Sequence, residues 1–283
     1  MENKTNVEGY KEITTADELR GIQLDIMRKI HEFCQINGLK YYLWGGTLLG
    51  AIRHGGYIPW DDDIDIAMPR KDYEYFVQNF DFEQYGVYSC EKNPLYPFVF
   101  AKAYRKDTVK IEPIVVDKEY SIGVDVDIFP IDGVNSLDEL EKDVNDRLSL
   151  MKKWRNSIYK FNGKGSFVRV LKRLLVSVKC SVGRFFRIYN ANKIAKRVNE
   201  KAQSFGGEHE YVMLYSDSNL KKPMVLKKEW CEKTQLHKFE EDEFCIMTGY
   251  HESLTKFFGD YMTPPPADKQ VAHHSFKAFL KNK

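Results

Sequence analysis

The chain has 283 residues, 43% hydrophobic and 30% charged, with 43 Lys and Arg against 41 Asp and Glu. That length supports a sizeable core, and the composition excludes a disordered, collagen-like or disulfide-stapled protein. The net charge of +2 argues against a polyanion binder only if the charges are evenly spread, and they are not. Five Cys, an odd number with no Cys-x-x-Cys pair, predict free thiols in a reducing cytoplasm rather than a zinc site of paired Cys. The polar N-terminus has no apolar signal segment and no run is long enough to span a membrane, so a cytoplasmic protein is expected.

In chain order, Thr15-Ala-Asp-Glu18 is a capping box, and Leu19, Ile22, Ile26, Ile30 and Phe33 recur at helical spacing until Asn37-Gly38. A strand is predicted from Leu39 to Trp44, then a Gly45-Gly46 break and a short helix from Thr47 to Arg53. Further strands are predicted at Ile64 to Met68, Phe98 to Tyr104, Val109 to Val116 and Ile122 to Phe129, with a helix over Asp72 to Phe80. This order predicts an α+β fold with a mixed sheet. The expected division is a catalytic core over 1–135, including the N-terminal helix, and a mostly helical region over 136–283 packed on it.

The densest chemistry runs from Gly45 to Asp65. Asp61, Asp62, Asp63 and Asp65 crowd four carboxylates into five residues, which is costly unless a cation neutralises them or water solvates them. The bland alternative is an acidic surface turn. The run continues into an apolar strand, however, where alternation puts Asp63 and Asp65 on one face. Asp125 and Asp127 repeat the spacing on another apolar strand. Such a set suits Mg²⁺ or Mn²⁺ and phosphoryl chemistry. An EF-hand loop counted from Asp61 fails, since Ile66 stands where Gly is required and Asp72 where Glu is required. Gly45, Gly46 and Thr47, between a strand and a helical turn, are expected to let backbone N–H groups approach a phosphate.

These residues carry a resemblance. Gly45-Gly46, Asp63-Ile64-Asp65 and a later strand Asp resemble the nucleotidyltransferase superfamily of polymerase-beta type. More closely, WGGTLLGAIRHGGYIPWDDDIDIAM over 44–68 resembles the LicD family, which includes the fukutin-related proteins. VDIFPIDG over 126–133, and FGDYMTPPP over 258–266 with His273-His274, are similar to further blocks of that family. The likeness covers about residues 20–133 and 250–275 and is poor over 136–245.

The resemblance implies a nucleotidyltransferase-like fold and a phosphotransferase. The expected enzyme moves phosphocholine, or ribitol or glycerol phosphate, from a CDP-linked donor to a hydroxyl of a cell-surface glycan such as lipopolysaccharide, capsule or teichoic acid. It implies metal binding by Asp63 and Asp65, with Asp127 as third carboxylate and Asp125 as the alternative. Arg53, His54, Lys102 and Arg105 are candidates for holding donor phosphate. Asp61 and Asp62 are candidates for orienting the ligands from behind, and Tyr57 and Trp60 for lining the pocket.

Residues 160–201 carry twelve Lys and Arg with Glu200 as the only acid. The stretch 167–189 alternates apolar residues with cations, as an amphipathic helix on anionic lipid does. A core helix with a solvated basic face, or a surface for an anionic glycan, fits the same composition. No nucleic-acid motif accompanies the charge. The competing functions are an Asp-x-Asp glycosyltransferase, a transferase that uses a nucleoside triphosphate, and a glycan-binding module without turnover.

Overall fold

Thr15 and Gly38 bracket the first long helix, α1 (Ala16–Asn37). The Thr15 side chain accepts from Glu18 N, and Gly38 closes the helix in the left-handed conformation at φ 63°. Leu19, Ile22, Ile26, Ile30 and Phe33 are all buried along one side, as their spacing requires. Each such side chain contributes about 1.5–3 kcal/mol by burial, so Ile26→Ala would cost about 2–5 kcal/mol. The computed structural model describes residues 7–111, 122–158, 190–205, 210–216, 224–271 and 277–282.

The remaining helices are α2 (Gly45–His54), α3 (Arg70–Asn79), α4 (Leu137–Ile158), α5 (Ala191–Gln203), α6 (Lys228–Cys231) and α7 (Tyr250–Phe258). The strands of the first half are β1 (Tyr10–Ile13), β2 (Tyr42–Leu43), β3 (Asp65–Pro69), β4 (Tyr85–Tyr88), β5 (Ala101–Arg105), β6 (Thr108–Ile111) and β7 (Asp125–Val134). Those of the second half are β8 (Tyr211–Leu214), β9 (Met224–Lys227), β10 (Thr234–Phe239), β11 (Asp242–Met247) and β12 (Lys277–Lys281).

The central sheet is mixed and seven-stranded, in the order β2-β3-β7-β5-β4, with β8 on β7 and β9 on β8. Strand β7 is its axis. It runs parallel to β3 and antiparallel to β5 over Asp125–Ile128, then changes partner and pairs with β8 from Asp132. Pro130, which has no N–H to give a ladder, lies between those two pairings. One face of the sheet carries Ala101, Ala103, Val126 and Ile128 into the core shared with α1. The pleat therefore sends Lys102, Asp125 and Asp127 to the other face.

The second half holds more than helices: among the described residues it also contributes five strands. β8 and β9 extend the central sheet, β10 and β11 form a hairpin, and β12 lies between β1 and β6. Short strands whose partners lie far away in sequence carry little local signal, and β1 and β12 pair across almost the whole chain. The helix expected after residue 136 is α4. The last part of the basic segment is α5, whose Ile194, Ala195, Val198 and Ala202 are buried in a core shared with α4. The stretch 167–189 lies outside the described residues, as do His273 and His274. No helix among the described residues is long and apolar enough to cross a membrane.

Candidate active site

Two hydrogen bonds join the start of α2 to the start of β3. Trp44 N donates to Asp65 O (2.9 Å), and Asp65 N donates to the Thr47 Oγ1 (2.8 Å). Trp44 supplies no side-chain cap, so the N-terminus of α2 presents its amides and the positive end of its dipole beside the acidic run. Gly45 has φ 53°, which favours glycine. A Cβ on Gly46 would stand 2.8 Å from Asp61 Oδ2, and one on Gly45 3.5 Å from Asp65 Oδ2. The glycine pair thus leaves room for carboxylates, and for whatever they hold, against the helix end.

Register assembles the next layer. Asp65 is level with Asp127 across the parallel β3–β7 pair, and Lys102 is level with Asp127 across the antiparallel β5–β7 pair. The Lys102 Nζ lies 2.7 Å from Asp127 Oδ1 and 2.6 Å from Asp125 Oδ2. Lys110 Nζ takes the other Asp125 oxygen at 2.6 Å. Burial alone would raise the Asp125 pKa, but Lys102 and Lys110 outweigh it and hold this carboxyl below its ordinary value. Both Asp125 oxygens are engaged by ammonium groups.

Asp65 and Asp127 are shifted the other way. Burial, then the negative charges of Asp63, Asp127 and Asp61, push Asp65 well above the usual carboxylate range. Burial and the charge of Asp125 bring Asp127 up to about 6 against the opposing pull of Lys102. Asp61, Asp62 and Asp63 each offer an oxygen within 4.8 Å of the others. Crowded hard oxygen donors of this kind fit a divalent cation of the Mg²⁺ or Mn²⁺ type.

The loop that carries this run is tied to α1. Arg20 Nη2 donates to the carbonyls of Ile58 (3.2 Å), Pro59 (3.1 Å) and Asp61 (2.8 Å). Gln23 Nε2 donates to Asp62 O (2.9 Å), and the Tyr57 hydroxyl donates to Gln23 Oε1 (3.1 Å). Sequence reasoning missed both α1 residues. A readable trace existed for one, since Gln23 falls within the apolar stripe and is 1% exposed, and a buried amide needs partners.

Several expected phosphate ligands are elsewhere. Arg53 and His54 sit at the far end of α2, about 12 Å along the axis from Gly45. Arg53 donates to Tyr261 O (2.9 Å), and the exposed His54 meets the half-buried Trp60 edge-on. Arg105 alternates to the face opposite Lys102 and is held by Asp107 (2.7 Å) and Asp25 (3.4 Å). Tyr57 is buried, its ring under the Arg20 guanidinium at 4.7 Å, so it packs the loop rather than lining an opening. Thr47 acts on the Asp65 backbone. Gly45, Gly46, Asp61, Asp62, Asp63, Asp65, Asp127 and Lys102 are the residues brought together.

The chain is similar to known proteins. The LicD/FKTN/FKRP nucleotidyltransferase-domain family matches residues 38–167. The lipopolysaccharide cholinephosphotransferase LicD of Haemophilus influenzae is 30% identical over 276 residues, spanning 94% of this chain and 98% of that protein. An uncharacterized protein of Rickettsia typhi is 43% identical over 72 residues, 25% of this chain and 23% of that protein. The human ribitol 5-phosphate transferase FKRP is 54% identical over 35 residues, 12% of this chain and 7% of that protein. With near full-length similarity to one member added to the glycine pair and the carboxylates, the chain belongs to the LicD family of phosphotransferases.

Proposed function

We propose that the chain transfers phosphocholine from CDP-choline to a hydroxyl of a cell-surface glycan and releases CMP. The observation that carries this reading is the near full-length similarity to a lipopolysaccharide cholinephosphotransferase, over a site with the groups such a transfer needs. Asp63 and Asp65, with Asp61 and Asp62 beside them, would hold Mg²⁺ or Mn²⁺, which supplies charge neutralisation for the donor diphosphate. The N-terminus of α2 at Gly45 and Gly46 receives phosphate oxygens. The acceptor oxygen forms a bond to the phosphorus bearing choline, the bond from that phosphorus to the bridging oxygen breaks, and CMP keeps that oxygen. Asp127 accepts the acceptor's proton, and a carboxyl near pH 6 suits a base working at neutral pH. Lys102, held 2.7 Å away, keeps that carboxylate aimed.

A second reading has its own observation. The short match to a ribitol 5-phosphate transferase favours an alditol phosphate as the transferred group. A panel of CDP-choline, CDP-ethanolamine, CDP-ribitol and CDP-glycerol, read by CMP release with glycan acceptor, separates them. Preference for CDP-choline supports the first reading, and preference for CDP-ribitol or CDP-glycerol replaces it. Transfer of a sugar with no CMP formed would overturn both in favour of a glycosyltransferase. The working position would be cytoplasmic, at the inner face of the membrane where lipid-linked glycans are built.

A further inference from the structure

Glu240 occupies the wrong backbone conformation for its residue type. Among the described residues it is the only non-glycine with positive φ, at 57°. It is the first of two residues linking β10 to β11, and a positive φ at that position of a tight hairpin is ordinarily filled by Gly or Asn. Strain of this kind persists where the side chain does something glycine could not.

Its side chain reaches the loop leading to the carboxylates. Glu240 Oε1 accepts from Tyr57 N (2.8 Å), and Glu240 N donates to Gly55 O (2.8 Å). Gly56 is shaped around this contact: a Cβ there would lie 2.1 Å from Glu240 Oε1. The strained glutamate and the glycine it faces explain each other. They clamp residues 55–57 from one side, while Arg20 and Gln23 hold 58–62 from the other.

We infer that Glu240 is a positioning residue, which through Tyr57 N sets the loop that brings Asp61, Asp62 and Asp63 together to bind a divalent cation. The inference rests on the metal role proposed above and extends it to the second half of the chain.

Glu240→Gly separates side chain from backbone. It relieves the positive φ, so melting temperature should hold or rise, whereas Mn²⁺ affinity should fall about 10- to 100-fold, as on loss of an outer partner of metal ligands. Free Mn²⁺ counted by electron paramagnetic resonance on the full chain reads this without turnover. Glu240→Gln keeps an acceptor for Tyr57 N and should retain affinity within a few-fold. Gly56→Ala pushes the carboxylate off from the other side and should mimic Glu240→Gly, and adding Glu240→Gly to it should cost little more.

Hydrogen exchange of the Tyr57 and Asp61–Asp63 amides, measured without metal, should quicken in Glu240→Gly. Wild-type Mn²⁺ affinity in Glu240→Gly overturns the positioning role. Should the wild type bind no Mn²⁺, the metal role fails by itself. Exchange then decides for the loop clamp, and unchanged protection at 57–63 overturns that as well.

Discussion

Asp65 and Asp127 stand level with each other on neighbouring parallel strands, about 4.8 Å apart in the direction of the ladder, and the charge of Asp127 adds to the burial that holds Asp65 protonated. Without a cation this pairing costs stability. Asp127 is raised by burial and neighbouring charge to about 6, above its value in an unfolded chain. The stability it contributes is therefore full at low pH and is lost as pH rises through about 6. The metal-free Asp127→Asn variant should melt higher than wild type at pH 7.5, by on the order of 1 kcal/mol of stability, and the advantage should vanish near pH 4.5. Thermal melts across that range in EDTA check it. Turnover by the same variant should fall about 10²–10⁴-fold, as on loss of a proton acceptor.

Lys102 is the opposite case. It is buried, and its ammonium bridges Asp125 and Asp127. Lys102→Met leaves Asp127 without its partner in a site already rich in negative charge, and breaking a buried pair costs about 3–5 kcal/mol. Urea denaturation should show that loss. Adding Asp127→Asn to Lys102→Met should recover part of it, because the uncompensated charge goes too. Strict additivity of the two changes would argue against the contact.

Arg105 lies near Lys102 in sequence, but an odd offset along a strand turns a side chain to the opposite face. It points away from the carboxylates and is occupied by Asp107 and Asp25. Arg105→Ala should keep kcat/KM within about two-fold and cost no more than about 1 kcal/mol. A hundred-fold loss of kcat/KM would return it to the site.

The contrast between these two residues shows what sequence can carry. The α1 stripe, the glycine pair and the Asp-x-Asp strands are local patterns, and each has its counterpart in the fold, although β7 starts at Asp125 rather than Ile122 and runs on past Phe129 to Val134. Asp65, Asp125 and Asp127 were legible because they sit on two strands with the same alternation, whereas Asp63, expected on the strand face beside Asp65, lies in the loop before β3 with Asp61 and Asp62. What decides their behaviour is long-range. The Lys102–Asp127 contact depends on the β5–β7 register. Arg20, Gln23 and Glu240 act on a loop reached by distant segments. The strands of the second half stayed hidden for the same reason, since β12 is explained only by β1 and β6 on either side of it.

A divalent cation should be visible as stability before any substrate is added. Binding to the folded state alone raises stability by RT ln(1 + L/Kd) at free ligand concentration L, and the melting temperature with it. Here the cation must also displace protons, since burial and neighbouring negative charge keep Asp65 and Asp127 protonated to higher pH than ordinary carboxyls. Mg²⁺ at millimolar level should therefore raise the melting temperature clearly at pH 7.5 and little at pH 5. Asp63→Asn and Asp65→Asn should each abolish the pH 7.5 shift. Lys110→Gln, which removes the ammonium paired with Asp125, should keep most of it. An equal Mg²⁺ shift at both pH values, or one that survives Asp65→Asn, would place the cation away from the carboxylates.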